Sequence, residues 1–241
     1  HQPAHAGRSP VLVTGAAGGL GAAIIRDLAR RYFIIGMVRR RPLSDGLKDL
    51  DDVVELTADL GDAGWEEQVA AVLNGRPLYG VVHAAWPGMP RGGLLQCPDD
   101  LLEQQLQFGG AHLVRLARLL FSHVGEDGGR LVALGSIVGG AKPALTRAAY
   151  SLGKAALETT VRLLAPEMAR KKVTVNAVCP SFVPLGINKQ ADERQQKMEA
   201  ARVPLGRLCS ADDVVGAVDY LLSPAASFVS GQVLGLSGGQ L

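Results

Sequence analysis

Short apolar runs alternate along this chain with stretches whose apolar residues recur at helical spacing. This alternation restricts the fold more than any other feature. Strands are read at 11–15, 32–38, 53–60, 78–85, 129–136, 173–180 and 231–239. Helices are read at 21–31, 64–75, 99–124, 148–169 and 210–223, the last with Ser210 as its N-cap. Strand–helix alternation predicts a parallel sheet of about seven strands with helices on both faces. The strands are nearly unbroken apolar runs, as strands covered on both faces should be. The 241 residues suit one domain with a full core. One segment breaks the rhythm: 184–206, "PLGINKQADERQQKMEAARVPLG", is polar, helix-prone and placed between the last two strands. Loops at the carboxyl ends of such strands form the ligand crevice, so the segment is read as a substrate lid rather than a plain surface excursion.

Composition excludes several function classes. The net charge of +2 is dispersed in both signs and gives no nucleic-acid footprint. Cys97, Cys179 and Cys209 have neither metal-ligand spacing nor the even count of a disulfide framework, which points to a reducing, cytoplasmic setting and no metal. No apolar run approaches the roughly 18 residues that span a membrane. Residues 1–9 lack an apolar signal-peptide core and are read as a flexible tail, with His1 and His5 given no metal role. The folded domain is then 10–241.

The first strand runs into "VLVTGAAGGLG", and the glycines there have a use beyond turning the chain. Between a first strand and a first helix they let the backbone approach a pyrophosphate held at the helix N terminus. The spacing is Thr14-Gly15-x-x-x-Gly19-x-Gly21, not the G-x-G-x-x-G of the dinucleotide fingerprint. It implies a Rossmann-type doubly wound sheet. Further along, "YSLGK" puts Tyr150 and Lys154 on one helix face, and Ser136 ends the strand before them. The second strand ends in "MVRRRP", so Arg39 stands where an acidic residue would otherwise hold a ribose 2′-hydroxyl. Guanidinium groups pair with a 2′-phosphate, and Arg39 with Arg40 and Arg41 points to NADP(H).

Together these residues resemble the short-chain dehydrogenase/reductase family over roughly 10–241. The stretch "VPLGRLCSADDVVGAVDYLLSPAASFVSGQVLGLSGG" at 203–239 is similar to the 3-oxoacyl-carrier-protein reductase branch. The resemblance implies Ser136, Tyr150 and Lys154 as the catalytic set, with Tyr150 the general acid in reduction. Lys154 would grip the nicotinamide ribose and, as a nearby ammonium, lower the phenol's pKa. Asp59 in "TADL" would contact adenine. Further cofactor contacts are implied for Ala17, Leu20, Arg40, Leu60, Ala84, Ala85, Pro180 and Val183. The substrate pocket would include Trp86, Ser136, Val138, Tyr150 and Ser181.

The chain departs from the family pattern in four places. Gln107 falls where an Asn bends the long helix and holds a relay water, although Gly109 and Gly110 still permit a bend. The Asn-Asn-Ala-Gly stretch reads His83-Ala84-Ala85-Trp86, with His83 a hydrogen-bonded structural residue and Trp86 either a core aromatic or a pocket wall. Ser181 and Leu185 replace the common Gly and Thr, removing one cofactor hydrogen bond. The Ser136–Tyr150 spacing is one residue longer than usual, in a segment carrying Lys142 and Arg147, which are solvated charges or contacts for an acidic or carrier-bound substrate. Asp127 replaces one basic carrier-docking residue while Lys171 keeps another.

The expected activity is an NADPH-dependent ketoreductase acting on a 3-oxoacyl or polyketide-like thioester or another hydrophobic ketone, free or carrier-bound. The resemblance further implies a homo-oligomer, tetramer or dimer. The alternatives are an NADP-dependent alcohol dehydrogenase working in the oxidative direction and a cofactor-binding scaffold or sensor with little turnover.

Overall fold

The computed structural model describes residues 7–241. Seven strands form one parallel sheet: β1 (Pro10–Thr14), β2 (Phe33–Val38), β3 (Val53–Thr57), β4 (Gly80–His83), β5 (Gly129–Leu134), β6 (Val173–Pro180) and β7 (Val233–Leu236). Their order is β3-β2-β1-β4-β5-β6-β7. The order reverses between β1 and β4, where Thr14 lies beside His83. A crevice opens at such a switch point outside the strand ends. The expected tail falls mainly outside the described residues. Within 7–9, Arg8 pairs with Asp52 at 2.6 Å and the Ser9 carbonyl accepts from the Phe33 amide.

Alternate strand residues feed two separate cores, which is why the strand runs are apolar throughout. Leu12 of β1 packs into one core with Leu131 and Ala133 of β5. Val11 and Val13 enter the other core with Val132 and Leu134. The first core is closed by Trp65, Val69 and Leu73 of α3 (Trp65–Leu73) and by α5 (Ala111–His123) and α6 (Ala148–Met168). The second is closed by Ile24, Ile25 and Leu28 of α1 (Gly19–Leu28) and by Val214, Val218 and Leu221 of α8 (Ala211–Leu222). Each such fully buried side chain contributes about 1.5–3 kcal/mol relative to its exposed state. Ser210 caps α8 as expected, in a reciprocal box with Asp213.

Several elements differ from the sequence reading. The helix expected over 99–124 is two helices, α4 (Asp99–Gly109) and α5, broken at Gly110 with φ −116° and ψ −85°. The third, fourth, fifth and last strands are shorter than read, and 58–60, 84–85 and 135–136 leave the sheet to line the crevice. A short helix, α2 (Asp45–Lys48), follows the arginine run. The lid over 184–206 contains a single turn of 3₁₀ helix, Gly186–Asn188, and α7 (Glu193–Ala200), whose Asp192 cap accepts from the Gln195 amide.

α4 and α6 touch backbone to backbone, and this contact positions the face of α6 that carries Tyr150 and Lys154. A Cβ at Gly109 would overlap the Gly153 carbonyl oxygen, and one at Gly153 would come 2.7 Å from the Gln105 carbonyl oxygen. Overpacking of this kind costs about 1–3 kcal/mol. Gly109→Ala and Gly153→Ala should each lower the unfolding free energy by that amount and with it the urea midpoint, whereas Gly46→Ala, with open space at its Cβ, should shift the midpoint much less. Equal midpoints for all three variants would remove the close crossing from the account.

Candidate active site

The turn after β1 is shaped by hydrogen bonds that begin with Thr14. Its hydroxyl donates to Nδ1 of His83 at 2.9 Å and accepts from the Ala85 amide at 3.3 Å, while Nε2–H of His83 donates to the Phe108 carbonyl at 3.3 Å. These partners assign the tautomer of a neutral ring. Burial pushes the His83 pKa down to about 3, so the ring stays neutral and structural, as read from the sequence. The network ties the ends of β1 and β4 together beside the crevice. Gly15 follows with φ +69°, and a Cβ there would lie 2.6 Å from the Ala85 nitrogen.

The N terminus of α1 is left free for an anion. Gly18 supplies no side-chain cap and the first turn carries no acidic residue. Its amides are therefore available, and the dipole favours a negative ligand. The lid comes down on this turn: a Cβ at Gly19 would sit 2.7 Å from the Gly186 nitrogen. Glycine here leaves a narrow cradle between this turn and Leu185 and Gly186 of the lid.

A cavity of about 1070 Å³ runs from this turn to the lid. Every residue singled out from the sequence as a cofactor, catalytic or pocket contact lines it, including Ala17, Leu20, Leu60, Val138, Pro180, Ser181 and Val183. At one end Arg39, Arg40 and Arg41 join Asp59, whose carboxylate lies 3.5 Å from the Arg39 guanidinium and accepts from the Gly61 amide at 2.9 Å. The residues fit a dinucleotide: an uncapped helix start over a glycine cradle for the pyrophosphate, and guanidinium groups beyond it.

At the other end three aromatic rings meet. Trp86 packs edge-on against Tyr150 with centroids 5.9 Å apart and against Phe108 at 6.0 Å. Its indole N–H donates to Gln105 Oε1 at 2.8 Å, and Gln105 donates onward to the Gly88 carbonyl at 3.2 Å. Trp86 is therefore a pocket wall rather than a remote core aromatic. Gln107 is exposed and takes no part. Gln105, two residues earlier, is the buried glutamine of α4, and sequence reading missed it together with Phe108. The signal was available in principle: 105 and 108 are separated by one helical turn and share a face.

Lys154 is buried at 4% exposure with no carboxylate in hydrogen-bond contact. Its amine donates to the Leu134 carbonyl at 2.7 Å and lies 3.3 Å from the centroid of the Trp86 ring. Burial pushes its pKa down to about 7. Burial likewise pushes the Tyr150 phenol up to about 12, opposed by a hydrogen bond with Ser136 and by the charge of Arg147. The sequence reading gave that opposing role to Lys154. In the structure its ammonium is turned onto the indole, 5.6 Å from the Tyr150 ring centroid. No group of His, Cys, Asp and Glu among the described residues is arranged to hold a metal.

A family model described as Enoyl-(Acyl carrier protein) reductase matches residues 15–240. The 3-oxoacyl-[acyl-carrier-protein] reductase of Pseudomonas aeruginosa is 30% identical over 241 residues, covering 95% of each chain. The enzyme of that name from Salmonella typhimurium is 31% identical over 238 residues, again with 95% of each chain covered. A crystal structure of 3-ketoacyl-(acyl-carrier-protein) reductase from Brucella melitensis complexed with NADH shares the fold, with a TM-score of 0.85 over 96% of this chain and 98% of that one at 22% identity. With a family match over nearly its whole length and relatives of this closeness, the chain belongs to the short-chain dehydrogenase/reductase family, as a 3-oxoacyl-carrier-protein reductase-like oxidoreductase.

Proposed function

We propose that this protein is an NADP(H)-dependent ketoreductase that reduces a carbonyl to a secondary alcohol. The observation that carries the reading is the meeting of Ser136, Tyr150 and Lys154 in the same cavity as the glycine turn and the arginine run. When bound, the reduced nicotinamide supplies the hydride that adds to carbon. The chain's own residues manage the oxygen. Ser136 donates a hydrogen bond to the carbonyl oxygen, and Tyr150 gives it the proton as charge builds there. A phenol pushed up to about 12 by burial holds its proton at neutral pH, so the proton is on Tyr150 before reduction begins. Lys154, in the same cavity, would hold the nicotinamide ribose and bring positive charge beside the phenol. Gly15, Gly19 and Gly21 admit the pyrophosphate, Asp59 faces the adenine end, and Arg39 and Arg40 hold the 2′-phosphate.

The substrate reading follows the pocket walls. Trp86, Val138 and Phe108 offer apolar and aromatic surface beside Tyr150, consistent with a 3-oxoacyl or polyketide-like chain or another hydrophobic ketone. Lys171 is exposed and keeps its charge for an acidic partner while its amine donates to the Phe121 carbonyl at 2.7 Å. Leu152 and Leu163 of α6 and Phe228 before β7 are exposed apolar side chains, and we assign them to contacts between copies in a homo-oligomer.

Loss of the phenol tests the chemistry. Tyr150→Phe should lower kcat for NADPH-dependent ketone reduction by about 10²–10⁴-fold while NADPH still binds, read by bound-cofactor fluorescence. Turnover that persists in this variant would remove Tyr150 as the acid. Loss of Arg39 tests the cofactor: Arg39→Ala should reduce the preference for NADPH over NADH about tenfold, as expected for one charge-assisted hydrogen bond. An unchanged preference would assign the arginine run to solvent.

The depressed Lys154 pKa makes a stability prediction. Between pH 7 and the usual lysine value of 10.5 the folded cofactor-free protein binds fewer protons than the unfolded chain. Stability from this group therefore rises with pH from about 7 upward and is lowest below that value. The Tm of the parent protein relative to Lys154→Met should climb between about pH 7 and pH 9. A gap that is flat or closes over this window would mean that the amine keeps its charge inside the fold.

A further inference from the structure

The cations lining the cavity divide into those already used and those that are not. Asp59 answers Arg39 at 3.5 Å, and Glu199 answers Arg202 at 3.1 Å. Lys142, Arg147 and, in the lid, Lys189 line the same cavity with no carboxylate partner among the described residues. Lys142 and Arg147 belong to the segment between Ser136 and Tyr150, at the reacting end and away from the arginines that serve the cofactor.

Arg147 is the better placed of the two. It is the N-cap residue of α6, with φ −144° and ψ 42°, three residues before Tyr150, and it lines the cavity together with Tyr150 and Lys154. The backbone there is fixed on both sides: the Gly92 amide donates to the Thr146 carbonyl at 2.8 Å, and the Ala148 amide donates to the Gly92 carbonyl at 3.1 Å. The Ser151 amide donates to the Arg147 carbonyl at 2.9 Å, and the Ser151 hydroxyl accepts from Ala144 at 3.0 Å. The side chain is half-buried, and its recorded partner is the thioether sulfur of Met89. A thioether is a weak acceptor for a group with five N–H donors. A partly buried guanidinium on a rigid backbone, facing a cavity and lacking an anion, is arranged to receive one.

We propose that Arg147 recognises a carboxylate carried by the substrate close to the reacting carbonyl, so that the preferred substrates are short keto acids. The inference rests on the ketoreductase reading of the site and replaces its neutral hydrophobic ketones with acidic ones. Arg147 shares the cavity wall with Ser136 and Tyr150, so the assignment calls for a carboxylate only a few bonds from the carbonyl. The phosphate of a carrier arm lies many bonds further from the carbonyl and stays out of reach of this residue. Paired as a bidentate clamp, the guanidinium fixes which side of the ketone carries its acidic arm.

The test uses matched pairs that differ only in charge: 3-oxobutanoate and 4-oxopentanoate, each against its methyl ester. Binding to the protein–NADPH complex is read by the fluorescence of bound NADPH, and kcat/KM by NADPH oxidation. The wild type, Arg147→Gln, Arg147→Lys and Tyr150→Phe are compared. In the wild type at least one acid should exceed its ester by about tenfold or more in affinity and in kcat/KM, as a charge-assisted pair requires. That ratio should fall to within about twofold in Arg147→Gln and be partly retained in Arg147→Lys. A wild type that treats every acid and ester alike, or a ratio that survives in Arg147→Gln, overturns the assignment. Tyr150-dependent turnover without acid preference overturns the anion assignment alone. Acid-selective, Arg147-dependent binding with no Tyr150-dependent turnover on any pair supports the anion site and overturns the ketoreductase reading.

Discussion

Two helices meet at Gly109 and Gly153 with no side chain between them, and the arrangement of the site depends on that contact. It lets α6 lie close enough to α4 for Tyr150 and Lys154 to face Trp86 and Phe108. A larger residue at either position would push the helices apart and open the aromatic cluster. The break at Gly110 serves the same end, since α4 stops there and α5 turns away to cover the sheet with Leu113, Leu116 and Leu120. Packing and chemistry are therefore one problem here.

The energetic tension in the site lies at Lys154. A buried amine would shed its proton, and burial brings its pKa close to neutrality. The Leu134 carbonyl and the indole face of Trp86 soften that penalty; a desolvated cation–π contact is worth about 2 kcal/mol. Gln105 holds the indole in place through its N–H. A tryptophan at position 86 thus has two physical consequences. It walls the pocket and gives the lysine a resting partner that a glycine could not supply.

The layout of the sheet was legible because the physical signals are local and strong. Apolar runs covered on two faces, the glycines after β1 and the cap at Ser210 each read without ambiguity. His83 was likewise legible as structural, since a histidine among apolar strand residues has to find partners, and Thr14 and the Phe108 carbonyl provide them. The helix break was harder. Two helices in tandem keep the same apolar period, so 99–124 reads as continuous, and only the Gly109-Gly110 pair marks the junction. Gln107 and Gln105 show the limit most clearly: composition cannot say which of two glutamines two residues apart faces inward, and packing against α6 decides for Gln105. The orientation of the Lys154 amine was also beyond reach, because it depends on a ring contributed from another element.

The central claim is that Tyr150, Ser136 and Lys154 form a site where hydride reaches a carbonyl carbon as a proton reaches its oxygen. The most direct measurement follows the label from NADPH deuterated at the transferring C4 position into the alcohol product, by mass spectrometry and NMR. The account predicts one deuterium on the carbinol carbon, in a single configuration, with its transfer slowed about 10²–10⁴-fold when Tyr150 is replaced by Phe. NADPH consumption with no label at that carbon, or labelled product formed equally well without the phenol, would contradict it.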